Sequence, residues 1–428
     1  MSRSIYQPRP VLNTLTEIIE HYKTCFQAKE PAKEANQWLC QCLALDSMPE
    51  DFYTSDYLLI LNFLHSYRGS PDTFRAYRRD IERLLQWSWF IRKQSVLNHR
   101  REDIEAFIEF CIQPPKHWIG LKTVNRFKSQ QGEMMVNPDW RPFDVSVSKA
   151  DRQAGKVADV DDYHISHNTI KALFAVLSSF YQFMYQEGSV PANPVSLIRQ
   201  KSKFLRKDAT PPVVRRLTDQ QWLTVLEHTE ALANESTQHE RTLFMMTCLY
   251  GMYLRISELA ASDRWMPAMN DFFMDGDENW WFKTVGKGNK ARQIAVSELV
   301  LNALKRYRLS LGLPALPVLS DTSPLIGQTR NRHLPIKDTK RIRVLVQACF
   351  DRAADALSAQ GMQLDAAQLR TATVHWLRHT GISDDVKVRP REHVRDDAGH
   401  SSGATTDRYI DISLRERARS AKLKGVKK

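Results

Sequence analysis

The amino-acid sequence predicts a mainly α-helical protein with one small β-hairpin: a helical first half followed by an α+β second half. Three observations carry this reading. Apolar residues recur at spacings of three and four through most of the chain, the period of one face of a helix. One pair of β-rich runs, Trp280–Val285 and Arg292–Val296, flanks the turn Gly286-Lys287-Gly288-Asn289. Residues 201–216, KSKFLRKDATPPVVRR, are basic, lose the period and hold a Pro-Pro pair, which marks a linker.

Taken in order, residues 1–50 form a helical extension, with Leu12, Leu15, Ile18, Ile19 and Tyr22 at helical spacings and no recognisable chemistry. Residues 51–200 form a helical domain. Its first clear helix opens at Ser70-Pro71, Ser as candidate N-cap and Pro at the first helical position. Phe74, Tyr77, Ile81, Leu84 and Leu85 make its apolar face, and Arg75, Arg78, Arg79 and Arg83 the other. Only Asp80 and Glu82 balance those arginines, so the expectation is a phosphate-facing surface rather than a merely solvated one. Periodicity fails from about Gln113 to His164, an inserted loop or a small irregular subdomain dotted with Trp118, Trp140 and Phe143. It returns at Ser166, with Ile170, Leu173, Leu177, Phe180, Tyr181 and Met184 on one stripe, and Gly188 closes that helix. Beyond the linker, Thr218-x-x-Gln221 is a capping box opening a helix through Trp222, Val225 and Leu226. Residues 217–412 read as the second domain and 413–428 as a basic tail.

The 428 residues hold 61 Lys plus Arg against 49 Asp plus Glu, a net charge of +12. Such an excess favours a polyanionic partner, because each phosphate neutralised releases a condensed counterion. Six scattered cysteines without a CxxC pair imply reduced thiols and no zinc site. No apolar run approaches a membrane span and no h-region opens the chain, so a cytoplasmic protein is expected.

Four short patterns in the second half bear on chemistry. Arg255 follows the apolar run Leu243–Leu254. Lys287 sits between two glycines in the hairpin turn. His375 and Arg378 lie three apart on one helix face. Gly399-His400 precedes Tyr409 by nine positions from the histidine. Singly, each has a structural reading at least as good: a helix-end charge, a surface turn, a chance pair, a packing residue.

Jointly and in this order, Arg255, Lys287, His375-x-x-Arg378, Gly399-His400 and Tyr409 resemble the active-site signature of the tyrosine recombinase (phage-integrase) family. The resemblance spans roughly residues 215–415. More weakly, the helices before it are similar to the family's core-binding domain.

The resemblance implies a site-specific DNA recombinase whose Tyr409 attacks phosphorus and holds the DNA 3′ end as a phosphotyrosine ester. The bond energy is kept, so neither ATP nor another cofactor is called for, and no metal. Arg255 and Arg378 would grip the non-bridging oxygens with planar forks. His375 and His400 would donate further hydrogen bonds, His375 also helping to take the tyrosine proton. Lys287 would protonate the departing 5′ oxygen. Glu258, one turn beyond Arg255, is a partner for it or a surface carboxylate. Expected DNA contacts are Arg75, Arg78, Arg79 and Arg83 with the linker residues Lys201, Lys203, Arg206, Lys207, Arg215 and Arg216.

By the same resemblance the two domains close on duplex DNA as a C-shaped clamp. Four protomers pair two recombination sites and exchange strands through a Holliday junction, for a mobile element and with accessory DNA-bending proteins as possible partners. The tail docks on a neighbouring protomer or touches phosphates. Two rival readings stand beside this one. A type IB topoisomerase uses the same chemistry without a partner site, and a DNA-binding regulator of this fold would lack catalysis. Two stretches depart from the family's pattern: Arg395-Asp396-Asp397-Ala398, where members are apolar, and Ser383-Asp384-Asp385. They bear on packing around His400.

Overall fold

The computed structural model describes residues 6–46, 50–130, 132–153, 155–196, 198, 204, 215–286, 288–400 and 421. The chain forms two compact units, residues 1–210 and 211–428. Both are mainly helical, and the described helices include none long and apolar enough to cross a membrane.

The first unit contains α1 (Leu15–Gln27), α2 (Pro31–Leu43), α3 (Phe52–His65), α4 (Pro71–Trp87) and α5 (Arg101–Ile112). After the insertion, α7 (His167–Gln186) completes it. Helix α1 starts where Thr14 accepts a hydrogen bond from the Glu17 N–H, and α7 where Ser166 accepts from Thr169. Helix α7 ends at Gly188, whose φ of 71° is the left-handed conformation glycine adopts at no steric cost. Residues 1–50, set apart on sequence as an extension, share one core with the rest of the first unit. Val11, Leu12, Ile18 and Leu39 pack in the same cluster as Phe63, Leu84 and Phe180.

The described residues between 113 and 164 are arranged around short strands. β1 (Ile119–Gly120) pairs in parallel with β4 (Phe143–Asp144), and β2 (Phe127–Gln130) with β3 (Glu133–Val136) forms an antiparallel hairpin. A short helix, α6 (Lys149–Gln153), comes next in the chain. Trp118, Trp140 and Phe143, the aromatics scattered through the segment, are all buried. Guanidiniums cover two of these rings, Arg83 over Phe143 at 4.6 Å and Arg126 over Trp140 at 4.9 Å.

The second unit opens with α8 (Asp219–Glu235), capped by the reciprocal Thr218–Gln221 box. Then come α9 (Glu240–Gly251), the single turn α10 (Ile256–Leu259), strands β5 (Phe272–Met274), β6 (Trp280–Val285) and β7 (Ala291–Ala295), and α11 (Glu298–Ser310). The strands form an antiparallel sheet in the order β5-β6-β7, one strand more than the hairpin expected. Short Phe272–Met274 lacks the length that alternation needs to show in sequence. Helices α12 (Thr339–Ala359), α13 (Gln363–Thr371), α14 (Val374–Asp385) and α15 (Arg391–Ala398) complete the unit. Its core joins Phe244, Leu249, Phe282, Val346, Phe350 and Leu377. A small separate cluster of Tyr253, Ile382, Val394 and Ala398 lies where α9, α14 and α15 meet.

Candidate active site

Helix α9 is broken just before Arg255. Tyr253 takes a left-handed φ of 51°, an unusual state for a bulky side chain, and its ring and hydroxyl are held from several sides. The break lets Arg255 begin α10 as its N-cap. Glu258 then turns back on it. Its carboxylate accepts the Arg255 backbone N–H at 2.8 Å and the Arg255 Nη1 at 2.8 Å.

Glu258 is almost wholly buried and serves a second guanidinium, that of Arg292 on β7. Burial alone would raise the Glu258 carboxyl, but Arg292 and then Arg255 outweigh it and hold the group below the ordinary carboxylate range. Of the two sequence readings of Glu258, the structure therefore shows the buried partner. Arg292 also donates its Nε to the Asp397 carbonyl at 2.9 Å, tying the sheet to the end of α15.

Arg378 and His375 project from α14. The Arg378 side chain is only 2% exposed. It donates to the Tyr253 carbonyl, to the Ala398 carbonyl at 2.6 Å, and lies 3.3 Å from His400 Nε2. Helix α14 comes this close to α9 because Gly381 has no side chain. A Cβ there would meet the Tyr250 carbonyl oxygen at 2.1 Å.

His400 is preceded by Gly399, the left-handed cap of α15, with φ 64°. Burial, then the fields of Arg378, Arg255 and Arg292, push the His400 imidazole down to about 4. His379 is likewise lowered to about 4, by burial and then by His375 and Arg378. His375 is lowered by burial, Arg378, Arg255 and Arg215. All three imidazoles are thus neutral at pH 7, and Arg378 can donate to the His400 Nε2.

Arg255, Arg378, His375 and His400 are accordingly brought together by α10, α14 and the turn after α15. Arg215, the end of the basic linker, reaches the same neighbourhood, since its charge is felt at His375 and His379. Lys287 and Tyr409 lie outside the described residues, as do Lys201, Lys203, Arg206 and Lys207. The turn that carries Lys287 starts directly above the ion cluster. A Cβ on Gly286 would stand 2.8 Å from Arg292 Nη1 and 3.1 Å from Glu258 Oε1.

The charged stretches near His400 form a second network. Arg389 donates to Asp397 at 2.6 Å, to Asp385 at 3.1 Å and to the Tyr253 hydroxyl at 3.0 Å. The Tyr253 hydroxyl also bonds Asp385, and Asp397 accepts the Ala295 N–H at 3.3 Å. Two guanidiniums, Arg292 and Arg389, do not stand out in the sequence. The two carboxylates are visible there as departures from the family's apolar pattern, and of the partners of Arg389 only Asp385, four residues before it, stands at a local pairing spacing. No group of three His, Cys, Asp or Glu among the described residues is placed to hold a metal ion.

The arginines of α4 are more engaged than a free phosphate-facing row. Asp80 and Glu82 are buried beneath them. Asp80 takes Arg79 at 2.8 Å and Arg83 at 3.2 Å. Glu82 takes Arg126 from the insertion and the backbone N–H groups of Val11 and Leu12. Arg75 is exposed beside Asp72, and Arg78 donates to the Asn13 carbonyl.

No family model matches the chain. It is similar to proteins described as tyrosine recombinase XerC. The one from Chlorobaculum parvum is 25% identical over 358 residues, 81% of this chain and 86% of that protein. The one from Bradyrhizobium diazoefficiens is 25% identical over 348 residues, covering 81% and 85%. Among solved structures, the XerH site-specific recombinase bound to palindromic difH substrate, a post-cleavage complex, has a similar fold. The TM-score is 0.52 at 12% identity, over 98% of this chain and 99% of that one.

Proposed function

We propose that the chain is a member of the tyrosine recombinase family, a site-specific DNA recombinase acting through a 3′-phosphotyrosine intermediate. The observation that carries the reading is the meeting of Arg255, Arg378, His375 and His400 from three separated segments. Two forked cations beside two neutral imidazoles suit a pentacoordinate phosphorus, whose extra negative charge needs neutralising in the transition state. Tyr409 supplies the nucleophile: its oxygen bonds to phosphorus and the 5′ oxygen leaves, taking its proton from Lys287. His375 helps accept the phenol proton. Reversal by the 5′ hydroxyl reseals the strand, so the exchange is balanced without ATP.

The arginines of α4 and the basic stretch from Lys201 to Arg216 supply the contacts to the DNA backbone in this reading. Four protomers on two sites exchange strands through a Holliday junction, in the service of a mobile element. Loss of either Arg255 or Arg378 lowers cleavage on the order of a hundredfold, because a charge-assisted contact made mainly in the transition state is removed.

The test uses nicked suicide duplexes taken from the DNA flanking the gene, with covalent adduct scored on denaturing gels. Wild type forms the adduct, and Tyr409→Phe binds DNA without forming it. An adduct that persists in Tyr409→Phe removes that tyrosine from the mechanism. Indiscriminate relaxation of supercoiled plasmid, without site-dependent products, favours a topoisomerase instead.

A further inference from the structure

A concavity of about 480 Å³ lies between α4 and the inserted segment, within the first unit. Arg75, Arg78, Arg79 and Arg83 line it from α4, and Arg126 and Arg141 from the insertion. Asn13, Thr14, Thr123 and Asn125 add neutral polar groups. The one carboxylate in its lining among the described residues is Asp144, which already accepts from the Thr123 hydroxyl at 3.0 Å.

The charges do not cancel. Asp80 answers Arg79 and Arg83 together, Glu82 answers Arg126, and Asp72 answers Arg75. Arg78 and Arg141 pair with no carboxylate among the described residues. They donate instead to backbone carbonyls, of Asn13 for Arg78 and of Pro138 and Trp140 for Arg141. The Arg78 Nε is buried and finds no acceptor among the described residues. Burial, then the field of Arg126, pushes the Arg78 guanidinium down to about 10. A buried donor without an acceptor and a crowd of like charges both cost stability, and an anion relieves both.

We propose that this concavity is a phosphate-binding pocket, with Arg78 and Arg141 taking the phosphate oxygens. Guanidiniums suit the task because their donors match phosphate geometry two at a time. The volume exceeds what a single phosphate fills, leaving room for the group to which it is attached. That group is either the sugar of bound DNA or a free phosphorylated small molecule. The first source rests on the proposed DNA recombinase function; the pocket itself does not.

The test uses the full chain, with inorganic phosphate and a duplex as separate probes. Phosphate, compared with chloride at equal ionic strength, raises the melting temperature of wild type and not of Arg78→Met or Arg141→Met. Against the duplex, each variant binds roughly tenfold more weakly, and the slope of log affinity on log salt falls by about one. A phosphate response lost in the variants with unchanged duplex binding assigns the pocket to a small phosphorylated ligand. Weakened duplex binding without a phosphate response assigns it to the DNA backbone. Should Arg78→Met lower the melting temperature of the unliganded protein, Arg141→Met carries the comparison. The proposal is overturned if neither substitution changes either probe. Adduct formation at Tyr409 is scored separately, so a failed pocket leaves the strand-cleavage reading standing.

Discussion

Arg292 grips the Glu258 carboxylate with both terminal nitrogens, Nη1 to Oε1 at 2.9 Å and Nη2 to Oε2 at 2.8 Å. The same carboxylate steadies Arg255, so the guanidinium that the proposed mechanism offers to the DNA phosphate is oriented through a residue on the sheet.

Glu258→Gln keeps the shape and removes the charge that two arginines share. Breaking a buried ionic cluster by deleting one partner costs on the order of 3–5 kcal/mol. Denaturant melts of the variant should show a loss of that size, reduced by the partial exposure of Arg255. Single-turnover cleavage should fall while duplex affinity changes little. A variant as stable and active as wild type removes Glu258 from any role in orienting Arg255.

The second network predicts coupling. Arg389→Met and Asp397→Asn each break the contact at 2.6 Å that holds the end of α15. Each should slow cleavage roughly tenfold, and the double variant should be little worse than either alone, because interacting residues lose the same contact once. Arg389→Lys should restore part of the rate. Strictly additive losses would show that the two side chains act apart.

Gly399→Ala tests the turn that presents His400. The position has φ 64°, and a Cβ there would meet the Arg292 Cδ at 2.9 Å. A left-handed residue other than glycine costs about 1 kcal/mol, and the crowding must displace Arg292. The expected result is a small drop in melting temperature with a larger drop in cleavage. Equal activity would mean that the Arg292 contact with α15 is dispensable.

The histidines set a pH dependence whose sign is fixed by their lowered values. His400 and His379 titrate near 4 in the folded chain and near 6.5 when unfolded, so the unfolded state binds more protons between those values. Their contribution to stability is present above pH 6.5 and is lost as pH falls toward 4. Melting temperatures of wild type and His400→Gln should therefore converge as pH drops through that window. A bound phosphate group reverses the local field and raises both imidazoles. Duplex binding near pH 6 should accordingly be accompanied by proton uptake, measurable by calorimetry in buffers of different ionisation heat. Proton release would contradict the placement of His400 beside the phosphate.

Much of the helical architecture is legible from local rules. The Thr218–Gln221 box, the Ser166 cap and the Gly188 terminus depend on neighbours three or four residues away, and sequence displays those directly. The sheet is legible only in part, since β5 is too short to show alternation. Arg255, Glu258, His375 and Arg378 can be picked out because their spacing carries a pattern. Arg292 cannot, because its partners Glu258 and Asp397 lie 34 residues away or more; of the partners of Arg389 only Asp385 stands at a local helical spacing, four residues before it, while Asp397 and Tyr253 do not. The face of α4 shows the same limit. Asp80 and Glu82 look like modest surface acids in sequence, yet both are buried and satisfied by arginines from two segments.

The place of Glu82 governs how the first unit can be cut for expression. Its carboxylate is capped by the amides of Val11 and Leu12, roughly seventy positions earlier. A fragment trimmed to begin at residue 51 would delete both donors, open the interior to solvent and leave the Glu82 carboxylate with Arg126 in place of three partners. A usable fragment of the first unit must keep the first helices, however dispensable that leading stretch looks on paper.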